Sequence, residues 1–539
     1  MTPDAPSFFT LDRGTVSTSA TLIAPVEGRY RMLAAGAVPT AVDAEALLED
    51  LASRVARTDP MLAGSMDGWR TWARLEVRSA RAPRACLVAG TLETGTLLER
   101  AFVASGWHIA ARFFGPGPDL IAFGGACLEP GLDAIVVAIR EDSDQEERDR
   151  ARVLWPRAGS LARLRDDVAV IACGPLIERP EGIADGRLFA LPAPDAPSSG
   201  ADSPLLQAAA QVAIHLASGG AHAVMDSRAA LRRTIASLAV LLGKRVDGIE
   251  VGGAAGSRVM ANADGELRHA VIASACLLPR EVLDDDAAAD AVLRWSALPG
   301  DPATRLDRLR ELVLHPWAAL DREGLHLRLA ALRSALERMQ AAWDLLANDG
   351  RPDEGAADVV VLCGGGFALL PATASALAIT DGIRRPGAFT ILHDHARLLA
   401  PLGALPVEGD RRRLLADLMD DCLLPVGSAL LTGTLGEAGR DVGRVSISTP
   451  LFEDELPLEP GQLKLVDLPP GIVARLEIDP GPGSILGVSG QRIGLEVSGG
   501  LGGFLLDTRP IPLEMPTSGE SRRAMLEAWE EPAWAGSDR

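Results

Sequence analysis

A strand-turn-strand unit occurs twice in the chain, and this repetition constrains the fold more than any other feature. The first copy spans Phe8–Val38 and contains Asp12-Arg13-Gly14-Thr15, and the second spans Val246–Ser274 and contains Glu250-Val251-Gly252-Gly253. In each copy the first strand ends on a carboxylate, a glycine turn follows, and a second turn closes the hairpin. Two such hairpins facing each other would form a clamp for phosphate.

The residues at these turns suit phosphate and magnesium. Backbone N–H groups at glycine turns can approach phosphate oxygens closely, and a single carboxylate suits a magnesium ion that keeps most of its waters. A third glycine turn follows the apolar strand-like run Asp358–Cys363 and is suited to contact the sugar or base of a nucleotide. The candidate nucleotide-binding residues are Asp12, Gly14, Thr15, Glu250, Gly252, Gly253, Gly364, Gly365 and Gly366, with Asp12 also holding magnesium through water.

Composition limits the partners and the compartment. A net charge of -20 argues against nucleic acid and against a basic membrane anchor, because both need a positive face. No apolar run reaches the roughly 18 residues of a membrane span, and no signal peptide is evident. The 6 cysteines are scattered, in apolar surroundings and never in C-x-x-C spacing, which predicts buried thiols in a cytoplasmic protein.

The order of elements predicts an α/β chain with a large insertion. Strand-like runs alternate with helical stretches from Ala85 to Leu191, which favours a parallel sheet. Pro192–Pro204 has the composition of a linker, and short strands with many Gly and Pro turns begin near Gln462. The predicted division is residues 1–82 for the first part of half I, 83–195 for an inserted α/β domain, 196–245 for the return helices of half I, 246–460 for half II, and 461–539 for a C-terminal β domain and tail.

Taken together, these motifs resemble the actin-like ATPase superfamily, and within it the glutamate mutase accessory protein (L component) family. The stretches that carry the likeness are Leu11–Thr18 (LDRGTVST), Asp133–Ala138, Val168–Gly174 (VAVIACG), Ile249–Ala255 (IEVGGAA), Val361–Pro371 (VLCGGGFALLP) and Gly499–Pro510 (GGLGGFLLDTRP). The resemblance spans most of the chain and implies duplicated ribonuclease-H-like halves, ATP and magnesium between them, and a partner protein such as a cobalamin-dependent mutase. The chain itself carries no cobalamin motif.

Several departures from the family pattern affect catalysis more than binding. Glu250 stands where the family has aspartate, Ala255 and Gly256 stand where it has threonines, and Arg13 replaces an apolar residue. Displacing a catalytic group by about 1 Å can cost roughly 100-fold in rate, and no catalytic base can be assigned from the sequence. The glycines remain, so we expect the protein to bind nucleotide. Its ATPase activity should be weak at most, and a degenerate pseudo-ATPase without turnover is the favoured interpretation.

Two main hypotheses for function follow. The first is a chaperone-like accessory or reactivating component for an adenosylcobalamin-dependent mutase. The alternative is a non-hydrolysing scaffold that uses the fold for protein-protein interaction. A small-molecule kinase ranks last because no acidic base adjoins a substrate site. His393-Asp394-His395 is interpreted as a helix entry capped by Asp394 rather than as a metal pair.

Overall fold

The computed structural model describes most of the chain, in segments separated by gaps. The described residues are 6–58, 68–115, 119–175, 183, 185–194, 203–217, 224–317, 321–347, 357–433, 435, 442–480, 484–486, 488–489 and 491–534. Most of the predicted linker at 192–204 lies outside them. Within these segments, no helix has both the length and the apolar character needed to cross a membrane. The cysteines are free and buried, as predicted.

Half I is built on the first hairpin unit. Its strands are β1 (Phe8–Arg13), β2 (Ser17–Val26), β3 (Arg29–Pro39), β4 (Ala73–Arg78) and β10 (Met225–Asp226), in the order β10-β4-β1-β2-β3. The hairpin strands are antiparallel, whereas β4 pairs parallel with β1 and β10. Helix α1 (Ala44–Thr58) begins after Asp43, whose Oδ1 accepts from the backbone N–H of Glu45 at 3.1 Å, and α6 (Ser227–Leu242) follows β10.

The insertion leaves half I after β4 and returns at β10. Its strands are β5 (Arg84–Ala89), β6 (His108–Phe114), β7 (Ala134–Ala138), β8 (Ala169–Cys173) and β9 (Leu188–Leu191), and its helices are α2 (Leu92–Ala104), α3 (Leu120–Leu128), α4 (Gln145–Arg163) and α5 (Pro204–Ala217). All strand pairs are parallel, in the order β6-β5-β7-β8-β9. The parallel sheet expected from the alternating pattern is therefore present, with β6 added at its edge.

Half II repeats the strand order of half I. Its strands are β11 (Val246–Val251), β12 (Gly256–Ala261), β13 (Leu267–Ile272), β14 (Val359–Cys363), β15 (Gly387–Asp394) and β16 (Leu423–Leu431), and its helices are α7 (Asp286–Leu293), α8 (Pro302–Leu314), α9 (Arg322–Ala347), α10 (Ala372–Gly382), α11 (Leu399–Leu402) and α12 (Glu408–Cys422). The order β13-β12-β11-β14-β15 matches β3-β2-β1-β4-β10 strand for strand. The duplicated α/β halves of the predicted fold class, with an α/β insertion in the first half, are therefore present.

The C-terminal strands divide between two sheets. β17 (Arg444–Ser448), β18 (Glu453–Pro457), β20 (Val473–Asp479) and β23 (Ile493–Ser498) form a separate antiparallel sheet, and β21 (Ser484–Ile485) pairs with β22 (Val488–Ser489). β19 (Leu463–Val466) and β24 (Phe504–Asp507) instead extend the sheet of half II beyond β16. Strand pairing thus crosses the boundary predicted at residue 461. Leu505 of β24 packs in the core of half II, whereas Phe504 and Leu506 pack in the core of the C-terminal strands. The domain divisions stay predictions.

A buried ionic cluster fastens the last helix, α13 (Gly519–Trp534), to half II. Arg333 Nε lies 2.6 Å from Asp381 Oδ2, and Arg509 Nη1 lies 2.7 Å from Asp381 Oδ1. Arg509 also pairs with Asp507 at 2.7 Å, and Arg333 pairs with Glu530 of α13. Because these side chains are almost completely excluded from solvent, each charge depends on its partners.

Candidate functional site

The two predicted glycine turns have the same backbone geometry. Gly14 donates its N–H to the Ser17 carbonyl at 2.8 Å, and Gly252 donates to the Ala255 carbonyl at 3.0 Å. A Cβ at position 14 would lie 2.7 Å from the Ser17 oxygen, and one at position 252 would lie 3.1 Å from the Ala255 oxygen. Any larger residue at position 14 would therefore distort the first turn, which is the tighter of the two, and this close approach explains why glycine stands there.

Asp12 and Glu250 occupy equivalent positions just before these turns. Each is the fifth residue of its strand, and each pairs across the hairpin with a serine, Ser19 for Asp12 and Ser257 for Glu250. The repetition seen in the sequence is thus a structural equivalence, with aspartate in one half and glutamate in the other.

The third glycine turn packs against the second. Gly364 has φ = 83°, and a Cβ there would lie 2.7 Å from the Val251 carbonyl oxygen. Gly366 donates its N–H to that same oxygen at 2.9 Å. The turn after β14 is therefore held beside the turn after β11, and only glycine combines this conformation with such close approach.

These turns surround a cavity of about 440 Å³ between the halves. Each residue singled out in the sequence lies on its wall: Asp12, Gly14, Thr15, Glu250, Gly252, Gly253, Gly364, Gly365 and Gly366. The wall also includes residues that sequence analysis missed, notably Arg228, Trp317, Arg328 and Arg397. They come from chain segments far from the glycine motifs, so no local signal in the sequence connected them to the site.

Carboxylates in and around this cavity have raised pKa values. Burial raises the pKa of Asp12 to about 6, although the charge of Arg397 and the hydroxyl of Ser227 oppose the shift. Burial, reinforced by the charge of Asp12, raises the pKa of Glu250 to about 8. Asp12 Oδ1 and Glu250 Oε2 are buried without a hydrogen-bond partner among the described residues. At neutral pH Asp12 is therefore mostly ionised and Glu250 mostly protonated.

Asp394 and Asp226 complete the acidic surroundings. Burial raises the pKa of Asp394 to about 7, despite the N–H groups of Leu398 and Leu399 that its carboxylate accepts at 2.8 and 3.0 Å. These bonds satisfy N–H groups at the start of α11, but the N-cap position is Leu398 and carries no side-chain capping bond, so Asp394 acts from outside the cap. Burial disfavours the charge of Asp226, but Arg228, 3.0 Å away, outweighs it and lowers the pKa of that carboxyl.

Arg397 places a positive charge within the site. Its backbone has φ = 53°, in the left-handed region that non-glycine residues rarely adopt. Its Nη1 donates to Ser17 Oγ across the cleft, and a Cβ on Gly365 would lie 3.4 Å from its Nη2. Burial lowers the pKa of Arg397, while the charges of Asp12 and Asp394 oppose that shift. The guanidinium is thus an internal counter-ion for the carboxylates of both halves.

The two hairpin turns touch directly. A Cβ on Gly253 would lie 2.4 Å from Val16 Cγ2 and 3.0 Å from Thr15 Oγ1. Trp317 Nε1 also donates to the Val16 carbonyl at 2.7 Å, so a residue of half II covers the first turn. The cleft is therefore closed at the tips of its turns, and a phosphate group would have to lie behind these tips or separate them.

The donor set fits a hydrated magnesium ion better than a directly ligated metal. Among the described residues, no group of three or more His, Cys, Asp or Glu side chains is arranged to hold a metal ion. The unpaired Oδ1 of Asp12 is available to accept hydrogen bonds from water bound to a cation, and magnesium commonly keeps several waters when few carboxylates are present.

Comparisons with known proteins give weak structural likenesses. No family model matches the chain, and no curated protein matches it. Nucleotide-free acetone carboxylase is similar at 10% identity and a TM-score of 0.29, over 84% of this chain and 81% of that chain. The nucleotide-free diol dehydratase-reactivating factor is similar at 11% identity and a TM-score of 0.28, over 74% of this chain and 99% of that chain.

A third likeness is to component A of (R)-2-hydroxyglutaryl-CoA dehydratase from Acidaminococcus fermentans, at 10% identity and a TM-score of 0.25, over 76% of this chain and 99% of that chain. Scores this low carry no argument about function. The fold assignment rests on the matching strand orders of the two halves.

Proposed function

We propose that this protein binds ATP with magnesium in the cavity between its actin-like halves and hydrolyses it slowly or not at all. The convergence of three glycine turns on a cavity that also holds the unpaired carboxylate oxygens of Asp12 and Glu250 carries the proposal. A volume of about 440 Å³ falls in the range of small-molecule sites.

In this proposal each turn has a separate role. Asp12 holds hydrated magnesium, and the N–H groups near Gly14 and Gly252 face the phosphates. The turn at Gly364–Gly366 contacts the ribose or base. The hydroxyl of Thr15, exposed on the cavity wall, adds a donor for phosphate oxygen.

The electrostatics favour binding without efficient hydrolysis. A general base must be ionised to take a proton from water, and Glu250, with a pKa raised to about 8, is mostly protonated at pH 7. Arg397 neutralises part of the negative charge on which magnesium depends. Neither feature prevents the backbone groups of the turns from contacting phosphate.

The finer proposal concerns a partner. From the resemblance to the glutamate mutase accessory family, we propose an accessory or reactivating role for a protein such as an adenosylcobalamin-dependent mutase, in the cytoplasm. Separation of the turns at Gly253 and Val16 on nucleotide entry would change the relative position of the halves, and that change would alter the surface offered to a partner.

The alternative is a scaffold that binds no nucleotide. It is favoured by the close approach of Gly253 to Val16 and by the bond from Arg397 to Ser17, which join the two halves without a ligand. In this case the fold serves only to present surfaces to another protein.

Calorimetric titration with ATP and magnesium separates the two proposals. We expect the parent protein to bind, Asp12→Asn to weaken binding at least tenfold, and Asp50→Asn, an exposed aspartate on α1, to leave it unchanged. A phosphate-release assay on the same samples measures turnover. Lack of binding by the parent would eliminate the nucleotide proposal and favour the scaffold.

The partner proposal needs its own assay. Inactivated adenosylcobalamin-dependent mutase would be incubated with the protein, free cobalamin cofactor and ATP, and recovery of mutase activity measured. Recovery with the parent but not with Asp12→Asn is expected. No recovery with a parent that binds ATP would reject the partner while leaving nucleotide binding intact.

A further inference from the structure

A second cavity, of about 740 Å³, lies where the insertion meets both halves. The insertion contributes the end of α2 and one face of α5, half I contributes α6, and half II contributes β13 and the start of α12. The wall therefore brings together three parts of the chain that are distant in sequence.

Arginine dominates this wall. Among the described residues that line it are five arginines and two carboxylates, although the whole chain has a net charge of -20. His269 adds no charge, because burial and the nearby Arg232 lower its pKa to about 3. The charged lining residues are Arg81, Arg228, Arg232, Arg233, Arg411, Asp226 and Glu408.

Several of these guanidinium groups lack an acidic partner at hydrogen-bond distance. Arg411 is 6% exposed and donates to neutral groups, Ser237 Oγ at 2.9 Å and the Leu405 carbonyl at 2.8 Å. Arg233 approaches only Met225 Sδ, at 3.7 Å, within the described part of the chain. Burial lowers the pKa of Arg411, the charge of Glu408 opposes that shift, and the charge of Arg233 adds to it, so the two cations repel one another. Glu408 itself pairs with Arg412, 3.5 Å away and not on this wall.

The other arginines are paired but still positioned at the wall. Arg228 pairs with Asp226 at 3.0 Å, and Arg81 pairs at 2.6 Å with Asp133, which does not line the cavity. The arrangement therefore leaves a concave surface with excess positive charge at Arg232, Arg233 and Arg411.

We propose that this cavity binds a compact anion with two or more negative charges, either a polycarboxylate or a phosphate compound. Such an anion would relieve the repulsion among the arginines, and the planar guanidinium group pairs well with carboxylate and phosphate oxygens. Gln211 on the same wall supplies a neutral amide donor. The inference is independent of whether ATP binds between the halves.

The test is calorimetric titration with citrate and with pyrophosphate, without magnesium and at constant ionic strength. We expect the parent to bind at least one probe, and Arg232→Gln to weaken that binding at least fivefold. Arg232 is exposed, so its replacement leaves the core intact. Arg112→Gln, on the insertion and paired with Glu99 outside this cavity, is the matched control and should bind like the parent.

Further variants identify the site. Arg411→Gln should also weaken anion binding. Because Arg411 is buried, the melting temperature of this variant is measured to show that it folds. If it does not fold, Arg233→Gln is used instead. Preference for citrate assigns the carboxylate class, and preference for pyrophosphate assigns the phosphate class. Failure of the parent to bind either probe overturns the proposal. So does binding that is lost in Asp12→Asn but kept in Arg232→Gln, because it would then lie in the first cavity.

Discussion

The two halves share one backbone design and differ in the chemistry placed on it. The turns at Gly14 and Gly252 form the same hydrogen bond and follow carboxylates at the same strand position. Half I nevertheless has an aspartate followed by a threonine, whereas half II has a longer glutamate that burial keeps mostly protonated. Glycine thus preserves the turn in both halves, while the side chains beside it determine whether the turn can support catalysis.

The halves also differ in how they bury charge. Half I has an exposed ion pair between Arg70 and Glu49, 3.1 Å apart with side chains 65% and 59% exposed, and its Arg228–Asp226 pair keeps some exposure. Half II encloses Asp381 between Arg333 and Arg509 with no side-chain exposure. Equivalent strand orders therefore do not imply equivalent sources of stability.

The largest expected effect is the loss of stability in Asp381→Ala, a variant of half II. Removing this carboxylate leaves two buried guanidinium groups short of a partner, which should lower the free energy of unfolding by about 3–5 kcal/mol. Urea unfolding followed by circular dichroism measures the loss. Glu49→Ala, the surface control in half I, should cost less than about 1 kcal/mol. Equal effects in both variants would contradict the contrast between the halves.

The next largest effect is expected in the affinity for ATP at pH 7, where Asp12→Asn is compared with Glu250→Gln. Asp12 is mostly ionised at this pH and Glu250 mostly protonated, so an amide changes the charge only at the first position. We expect a loss of at least tenfold for Asp12→Asn and less than about threefold for Glu250→Gln, since tenfold corresponds to about 1.4 kcal/mol. A larger loss for Glu250→Gln would mean that Glu250 is ionised when nucleotide binds.

A third prediction concerns pH and stability. Glu250 has a pKa raised from 4.5 to about 8, so the folded state binds its proton more tightly than the unfolded state. The free energy of unfolding should therefore be highest below the unfolded pKa and fall as pH rises from about 5 to 8, at up to about 1.4 kcal/mol per pH unit from this group. Asp12 and Asp394 act in the same direction.

Urea unfolding at several pH values measures this slope in the parent and in Glu250→Gln. The variant cannot lose the proton, so its stability should fall less steeply over the same range. The exposed Glu27→Gln is a control that should follow the parent. Parallel slopes in the parent and Glu250→Gln would show that Glu250 is not the group that titrates.

The smallest effect is expected from Trp317→Phe. The change removes one hydrogen bond from half II to the Val16 carbonyl of half I and keeps an aromatic ring, so about 1 kcal/mol of stability should be lost. Differential scanning fluorimetry measures the shift in melting temperature. A shift as large as that of Asp381→Ala would mean that contact between the halves, rather than burial of charge in half II, dominates stability.

The elements that could be predicted from the sequence are those that depend on local patterns of residues. Both hairpins, the glycine turns and the parallel insertion follow from periodicity and from residues that favour turns. Arg397 and Trp317 were missed because they reach the cavity from segments that carry no motif of their own. Arg411 is also buried, and its guanidinium donates to Ser237 Oγ of α6, far away in the sequence. Such contacts between distant segments are not encoded in any local pattern.

The pairing of β24 with β16 has a consequence for synthesis on the ribosome. Half I and the insertion have all their strands once residue 226 has emerged from the ribosome. Half II is completed much later, because its sheet needs strand β24 (Phe504–Asp507) and its buried ionic cluster needs Glu530 of α13. During translation the apolar edge of β16 would stay uncovered for the more than 70 residues between it and β24. Half II is therefore the part of the nascent chain that most needs protection from aggregation.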